Sequence, residues 1–415
     1  MLGLRVERGS TAKLERVEGE LKVASNARIT ASNGRLVTVT EGAYFEGNAE
    51  IDCDFECDSL RVDRGKLIVN GDLTVHKGLD VAHTVEAVGV IRANSIDVGG
   101  KMIAKSISCE GSVRVGGLVD VKEELKAAAV EVGGKVNVSG TVKIVDLGVG
   151  GKAEVGGGSI TGNTRVGGIF KSTAPLEFGG LQVYGKCTLA AGSKGQKLST
   201  FGKLSVDGDM ACEQVDIGGA ADVHGDLSAV KVLVNGKLDV SDSLAVKGML
   251  EAYGSCEVGS EFIGTDLRVG GRFRARRALV SNNAEIAGEV ETEQGLRGSS
   301  VIIRGGTRCR GAIVGERVEL GKSEFAVVNL SAQWAGQSIA MRAIGRMTTA
   351  EDIYGKEVVL GSNSRCRRVF ANRVELGGGC TVEQVTYTDE LRKGSGRVFL
   401  THPAEKATKL PPFPL

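Results

Sequence analysis

The sequence predicts an all-β fold, a single-stranded β-helix (β-solenoid) with about 17 residues per coil, and three observations predict it. An apolar residue followed by glycine returns at a 17-residue step, in Val98-Gly99-Gly100, Val115-Gly116-Gly117, Val132-Gly133-Gly134, Val149-Gly150-Gly151 and Val166-Gly167-Gly168. Between these marks apolar and polar residues alternate in runs too short for a helix. Glycines separate the runs in phase, not in low-complexity blocks.

The step continues without a slip through Val183-Tyr184-Gly185, Thr200-Phe201-Gly202, Ile217-Gly218-Gly219 and Val234-Asn235-Gly236. After one extra residue it resumes at Val269-Gly270-Gly271, Ile286-Ala287-Gly288, Ile303-Arg304-Gly305 and Leu320-Gly321. A period held this long is a physical template, because each repeat must stack on the one before it. Runs such as Lys66-Leu67-Ile68-Val69, Asp72-Leu73-Thr74-Val75 and Lys237-Leu238-Asp239-Val240 have the period of two of a half-buried strand. Each unit therefore holds about three short strands joined by corners. One unit cannot bury its inward side chains alone, so roughly 20 coils stacked about 4.8 Å apart give a rod on the order of 100 Å. The low aromatic content, 4%, predicts a thin interior lined by Val, Leu, Ile and Ala, too narrow for large rings.

The unbroken period over 415 residues argues for one elongated domain: an N-terminal segment and first strand over 1–20, a solenoid over 21–400, and a tail over 401–415. The rhythm blurs near 326–353, around Trp334, Met341, Ile344 and Met347, which predicts a loop leaving one corner; Ile339–Ile344 is a candidate short helix within it. Four of the five prolines, Pro403, Pro411, Pro412 and Pro414, fall in the last 13 residues and predict a flexible, extended tail that leaves the rod at about Thr401.

A net charge of +1 gives no global bias toward nucleic acid or acidic substrates. No stretch matches a membrane-spanning helix, and the N-terminus lacks the charged-then-apolar layout of a signal peptide, which sets the expectation of a cytoplasmic protein with a membrane surface as a further candidate partner. The nine cysteines are scattered without Cys-x-x-Cys and read as small buried apolar residues; Cys53 and Cys57 are the nearest candidate pair. The four histidines, His76, His83, His224 and His402, have no metal-ligand spacing. The phosphate-loop pattern is missing, and the glycine pairs open no helix. The reading assigns no catalytic, cofactor-binding or metal residue. Arg272, Arg274 and Arg276 alternate onto one face as a candidate basic stripe, with glutamates interspersed and no aromatic platform beside them, so an ion-paired face is favoured over nucleic-acid or anionic-lipid binding.

The 17-residue coils with steps such as Glu18-Gly19-Glu20-Leu21-Lys22-Val23 and Gly208-Asp209-Met210, the coil Val374-Glu375-Leu376-Gly377 followed by Val382-Glu383-Gln384-Val385-Thr386-Tyr387, and the proline-rich tail together resemble the bactofilins, polymer-forming cytoskeletal proteins. The resemblance implies a right-handed β-helix that joins end to end into non-polar filaments without nucleotide. It also implies apolar contacts between terminal coils, with Phe399 at the position that best matches the family's polymerisation phenylalanine. The chain is longer than a typical member's core. Independently, end coils present unpaired backbone groups above an apolar core, and no capping helix precedes Leu21 or follows Val398. The candidate interface is therefore Leu2, Leu4 and Val6 at one end and Val398, Phe399 and Leu400 at the other. The partner expected is a second copy of the chain, the role a scaffold; the alternatives are a transferase-like solenoid enzyme and a surface adhesin or spike.

Overall fold

The computed structural model describes residues 3–321, 332–334, 337–339 and 348–413. These fall into two compact units, Met1–Leu204 and Ser205–Leu415. Each is a stack of parallel strands in register with no helix among the described residues, and the protein is a β-solenoid.

In the first unit one coil shows the plan. Ile96–Val98, Met102–Ala104 and Ile107–Cys109 form its three sides, and they pair in parallel with Val113–Val115, Val119–Val121 and Leu125–Lys126 of the next coil. Each side sends two residues inward, two positions apart, as the pleat of a strand requires. The motif residue occupies one column throughout: Val81, Val98, Val115, Val132, Val149, Val166 and Val183 pair successively. All are buried, with Val166 at 0% exposure.

In the second unit an equivalent column runs Ile217, Val234, Ala252, Val269, Ile286, Ile303, Leu320, Leu360 and Leu376. The extra residue that shifts the sequence period lies between Val246 and Leu250, which face Ala229 and Val232 of the preceding coil. A bulge there absorbs it without disturbing the inward set.

The corner after each motif residue explains the second glycine of the pair. A Cβ at Gly134 would fall 2.3 Å from the Gly117 carbonyl oxygen, and one at Gly185 would fall 2.2 Å from that of Gly168. Only glycine lets successive corners approach so closely. The first position is as tight at Gly99 and Gly116, where a Cβ would fall 2.1 and 2.2 Å from the carbonyl oxygen of the preceding coil, but it opens further along, where Tyr184 and Phe201 stand with their rings stacked 5.3 Å apart.

The expectation of an interior too narrow for rings is corrected. Phe45, Phe55, Phe170, Phe262 and Phe273 are all fully buried. Their neighbours along the column make the room. Phe170 lies between Ala153 and Cys187, and Phe273 lies between Cys256 and Val290. Phe178 faces Gly195, where a Cβ would sit 2.0 Å from the ring. At Phe170, Phe178 and Phe273 a small residue on an adjacent coil offsets the ring's volume, whereas Phe45 and Phe55 pack edge to face with ring centroids 6.2 Å apart.

The blurred stretch is a 40-residue step: Leu320 pairs directly with Leu360. The solenoid resumes at Thr348, earlier than the expected boundary at 353, and Ala332–Trp334 pairs antiparallel with Gln337–Ile339. Ile339 is thus in a strand, and 340–344 of the candidate helix lie outside the described residues.

All nine cysteines are buried and none forms a disulfide, Cys53 and Cys57 included. Burial pushes the Cys57, Cys187 and Cys256 thiols up to about 12 and those of Cys53 and Cys309 up to about 11. A raised thiol pKa leaves almost no thiolate at neutral pH, and the thiolate is the reactive form. A thiol reagent at pH 8 is therefore expected to label none of the nine in native protein and all nine in denaturant. Rapid labelling of native protein would contradict this placement.

Candidate assembly interface at the terminal coils

The N-terminal coil is built from Leu4–Val6, Thr11–Leu14 and Arg16–Val17. They pair with Leu21–Val23, Arg28–Ala31 and Thr38–Val39 respectively, and among the described residues nothing pairs on their other side. Val6 and Val17 are each 4% exposed and belong to the core, whereas Leu4, an inward position of the same coil, remains 38% exposed. Val6 is thus a floor for the candidate interface and Leu4 its apolar surface. Leu2 lies outside the described residues.

The C-terminal coil differs. Its strand Thr381–Lys393 turns two corners and so spans all three sides. The tail then returns across two of them: Phe399–Leu400 pairs with Thr381–Val382, and Glu405–Lys406 pairs with Thr386–Tyr387. The Phe399 N–H donates to the Cys380 carbonyl at 2.8 Å, the Thr401 N–H to Val382 at 3.0 Å, and the Ala407 N–H to Tyr387 at 2.8 Å. The expectation that the chain leaves the stack at about Thr401 as a flexible segment is corrected: 399–407 form a partial further coil. The period explains why it stops. One 17-residue step beyond Lys393 falls on Leu410, and Pro411 and Pro412 follow with no N–H to give to a ladder.

Phe413 then turns back to Tyr354, ring to ring at 6.2 Å, and Tyr354 stacks on Phe370 at 4.9 Å. Beside this aromatic pair, Asp352 accepts hydrogen bonds from Arg367 and Arg368, including Arg368 Nε at 2.9 Å. Burial alone would push the Asp352 carboxyl up, but the two guanidinium groups outweigh it and hold it below the usual range. A depressed carboxyl stabilises the fold above its unfolded pKa, and that contribution fades as pH falls through the folded value.

Of the remaining candidates, Phe399 is 51% exposed on the outermost partial coil, while Val398 and Leu400 are half-buried, Leu400 in register over the fully buried Val382. The proposed basic stripe is charge-compensated along the stack. Arg272 and Arg274 lie opposite Glu289 and Glu291, with nitrogen–oxygen separations of 3.3 and 3.8 Å. Arg276 is exposed one corner away. Alternating signs between coils leave no continuous positive face for a polyanion.

Among the described residues no three or more His, Cys, Asp or Glu side chains group so as to hold a metal ion. No helix of the described residues is long and apolar enough to cross a membrane. Comparison with family models, with curated proteins and with solved structures returned no match.

Sequence reasoning missed the tail's return and the open side that it leaves. The reading ends the solenoid at 400 with the apolar run Val398-Phe399-Leu400, and the prolines beyond it concealed the further pairing of Glu405–Lys406.

Proposed function

We propose that this β-solenoid is a structural protein, bactofilin-like in behaviour, that joins end to end into nucleotide-independent filaments and serves as a cytoplasmic scaffold. Its first partner is a second copy of itself; a membrane surface or scaffolded proteins come second. One observation carries the reading: the N-terminal coil presents three parallel strand edges and a part-exposed Leu4 with no strand or helix over them among the described residues. An open edge of this kind is a template for another chain. Each backbone hydrogen bond made across such a junction contributes about 0.5–1.5 kcal/mol net. Burial of apolar surface adds about 25 cal/mol per Å². If each end joins its own kind, alternating two-fold contacts propagate a filament without chemistry.

The test is sedimentation of purified protein in a buffer with chelator and no nucleotide. The protein is expected to pellet as polymer under these conditions. Assembly that requires ATP or GTP hydrolysis would remove the reading.

A further inference from the structure

In the first unit the corner that follows the motif column is Gly150 and Gly167 on two successive coils, then Tyr184 and Phe201 on the next two. The two rings are 53% and 40% exposed and lie nearly parallel, 11° apart. The coils before them close the same corner with glycine, so the fold does not require the rings. Gly167 has no side chain, and the face of Tyr184 turned away from Phe201 is therefore uncovered.

The charge around this corner is one-sided. From Asn163 to Leu204 the chain has six basic residues and one acidic residue. The acid, Glu177, sits on the third side of its coil, in register with Lys194. On the two sides that meet at the corner Arg165, Lys171, Lys186, Lys197 and Lys203 are all exposed. Glu154 answers Lys171 at 3.6 Å, whereas Arg165 and Lys186 form no ion pair among the described residues. This is the reverse of the Arg272–Arg274 face, where a glutamate stands opposite each arginine.

A basic surface attracts any polyanion, and the rings select among them. Every nucleobase has a π-face, so a base can extend the Tyr184–Phe201 stack over Gly167 while its phosphates meet Arg165 before the corner or Lys186 after it. A duplex keeps its bases stacked on one another and offers no such face. Three coils about 4.8 Å apart give a patch on the order of 15 Å, room for a few nucleotides.

We propose that Tyr184, Phe201, Arg165 and Lys186 form a binding surface for single-stranded nucleic acid, which is held by stacking and charge without preference for base sequence. The surface lies on the flank of the coils and not on their N-terminal edge. It neither needs the filament reading nor obstructs end-to-end joining.

Fluorescence anisotropy of labelled oligo(dA) with the full chain, repeated at several salt concentrations, tests this. Tyr184→Ala with Phe201→Ala is expected to weaken binding about tenfold or more. Arg165→Gln and Lys186→Gln are each expected to weaken it and to lower the slope of log K against log salt by about 0.7. Arg272→Gln, on the ion-paired face, is expected to change neither. All four substituted positions of the surface are exposed, so the coils remain folded. Tyr184→Trp keeps a ring in place and is expected to bind as the wild type does, its added fluorescence quenched by oligo(dA) and not by inorganic polyphosphate, which has charge without bases. No binding of oligo(dA), or binding indifferent to the loss of both rings, would overturn the proposal. So would tighter binding of polygalacturonate than of oligo(dA) through the same residues, since the rings would then be a platform for sugars.

Discussion

Val166→Asp is expected to remove on the order of 3–5 kcal/mol of stability, the scale of an uncompensated charge in a protein interior. Val166 is 0% exposed and stacked between Val149 and Val183, so the new carboxylate finds no water and no donor. Its escape is protonation or local unfolding. The sign of the pH dependence follows. Burial raises the folded-state pKa above the unfolded value of about 3.9. The cost is therefore full above the raised pKa, shrinks as pH falls, and is absent once both states are protonated. Thermal melting against pH, with hydrogen exchange over the coils flanking residue 166, reads both effects. Wild-type melting and unchanged protection at neutral pH would mean that the motif valine does not point inward.

The second large effect concerns assembly, not folding. Leu4→Arg and Phe399→Arg each alter a part-exposed side chain on a terminal coil, so the stack remains folded. Each places a guanidinium in the proposed apolar contact between copies. Either variant is expected to stop at dimers joined through its unaltered end, and the double variant at monomers. Sedimentation velocity separates the three. Long polymers from Phe399→Arg would remove that residue from the junction; an unfolded product would place it in the core.

The sequence made the repeating column legible because a single geometric demand recurs in it. A corner where successive carbonyls leave no room for a Cβ writes glycine into each coil, as at Gly134 and Gly185. What it concealed was compensation between coils. Phe170 is tolerated because Ala153 and Cys187 are small, a relation that no single coil displays. The ion-paired face that the interspersed glutamates favoured over a basic stripe is seen in the stack, where Arg274 and Glu291 are neighbours in space though 17 residues apart in the chain. At the C-terminus the prolines were read as a departure from the stack. They end it instead, one partial coil later, after Phe399–Leu400 and Glu405–Lys406 have paired.

The central claim, that copies of this solenoid join through their terminal coils without chemistry, is tested most directly by negative-stain electron microscopy of the wild-type chain in nucleotide-free buffer containing a chelator. The account predicts unbranched filaments that shorten to discrete dimers in the Leu4→Arg variant. Discrete single particles of the wild-type chain at every protein concentration, or filaments indifferent to Leu4→Arg and to Phe399→Arg alike, would contradict it.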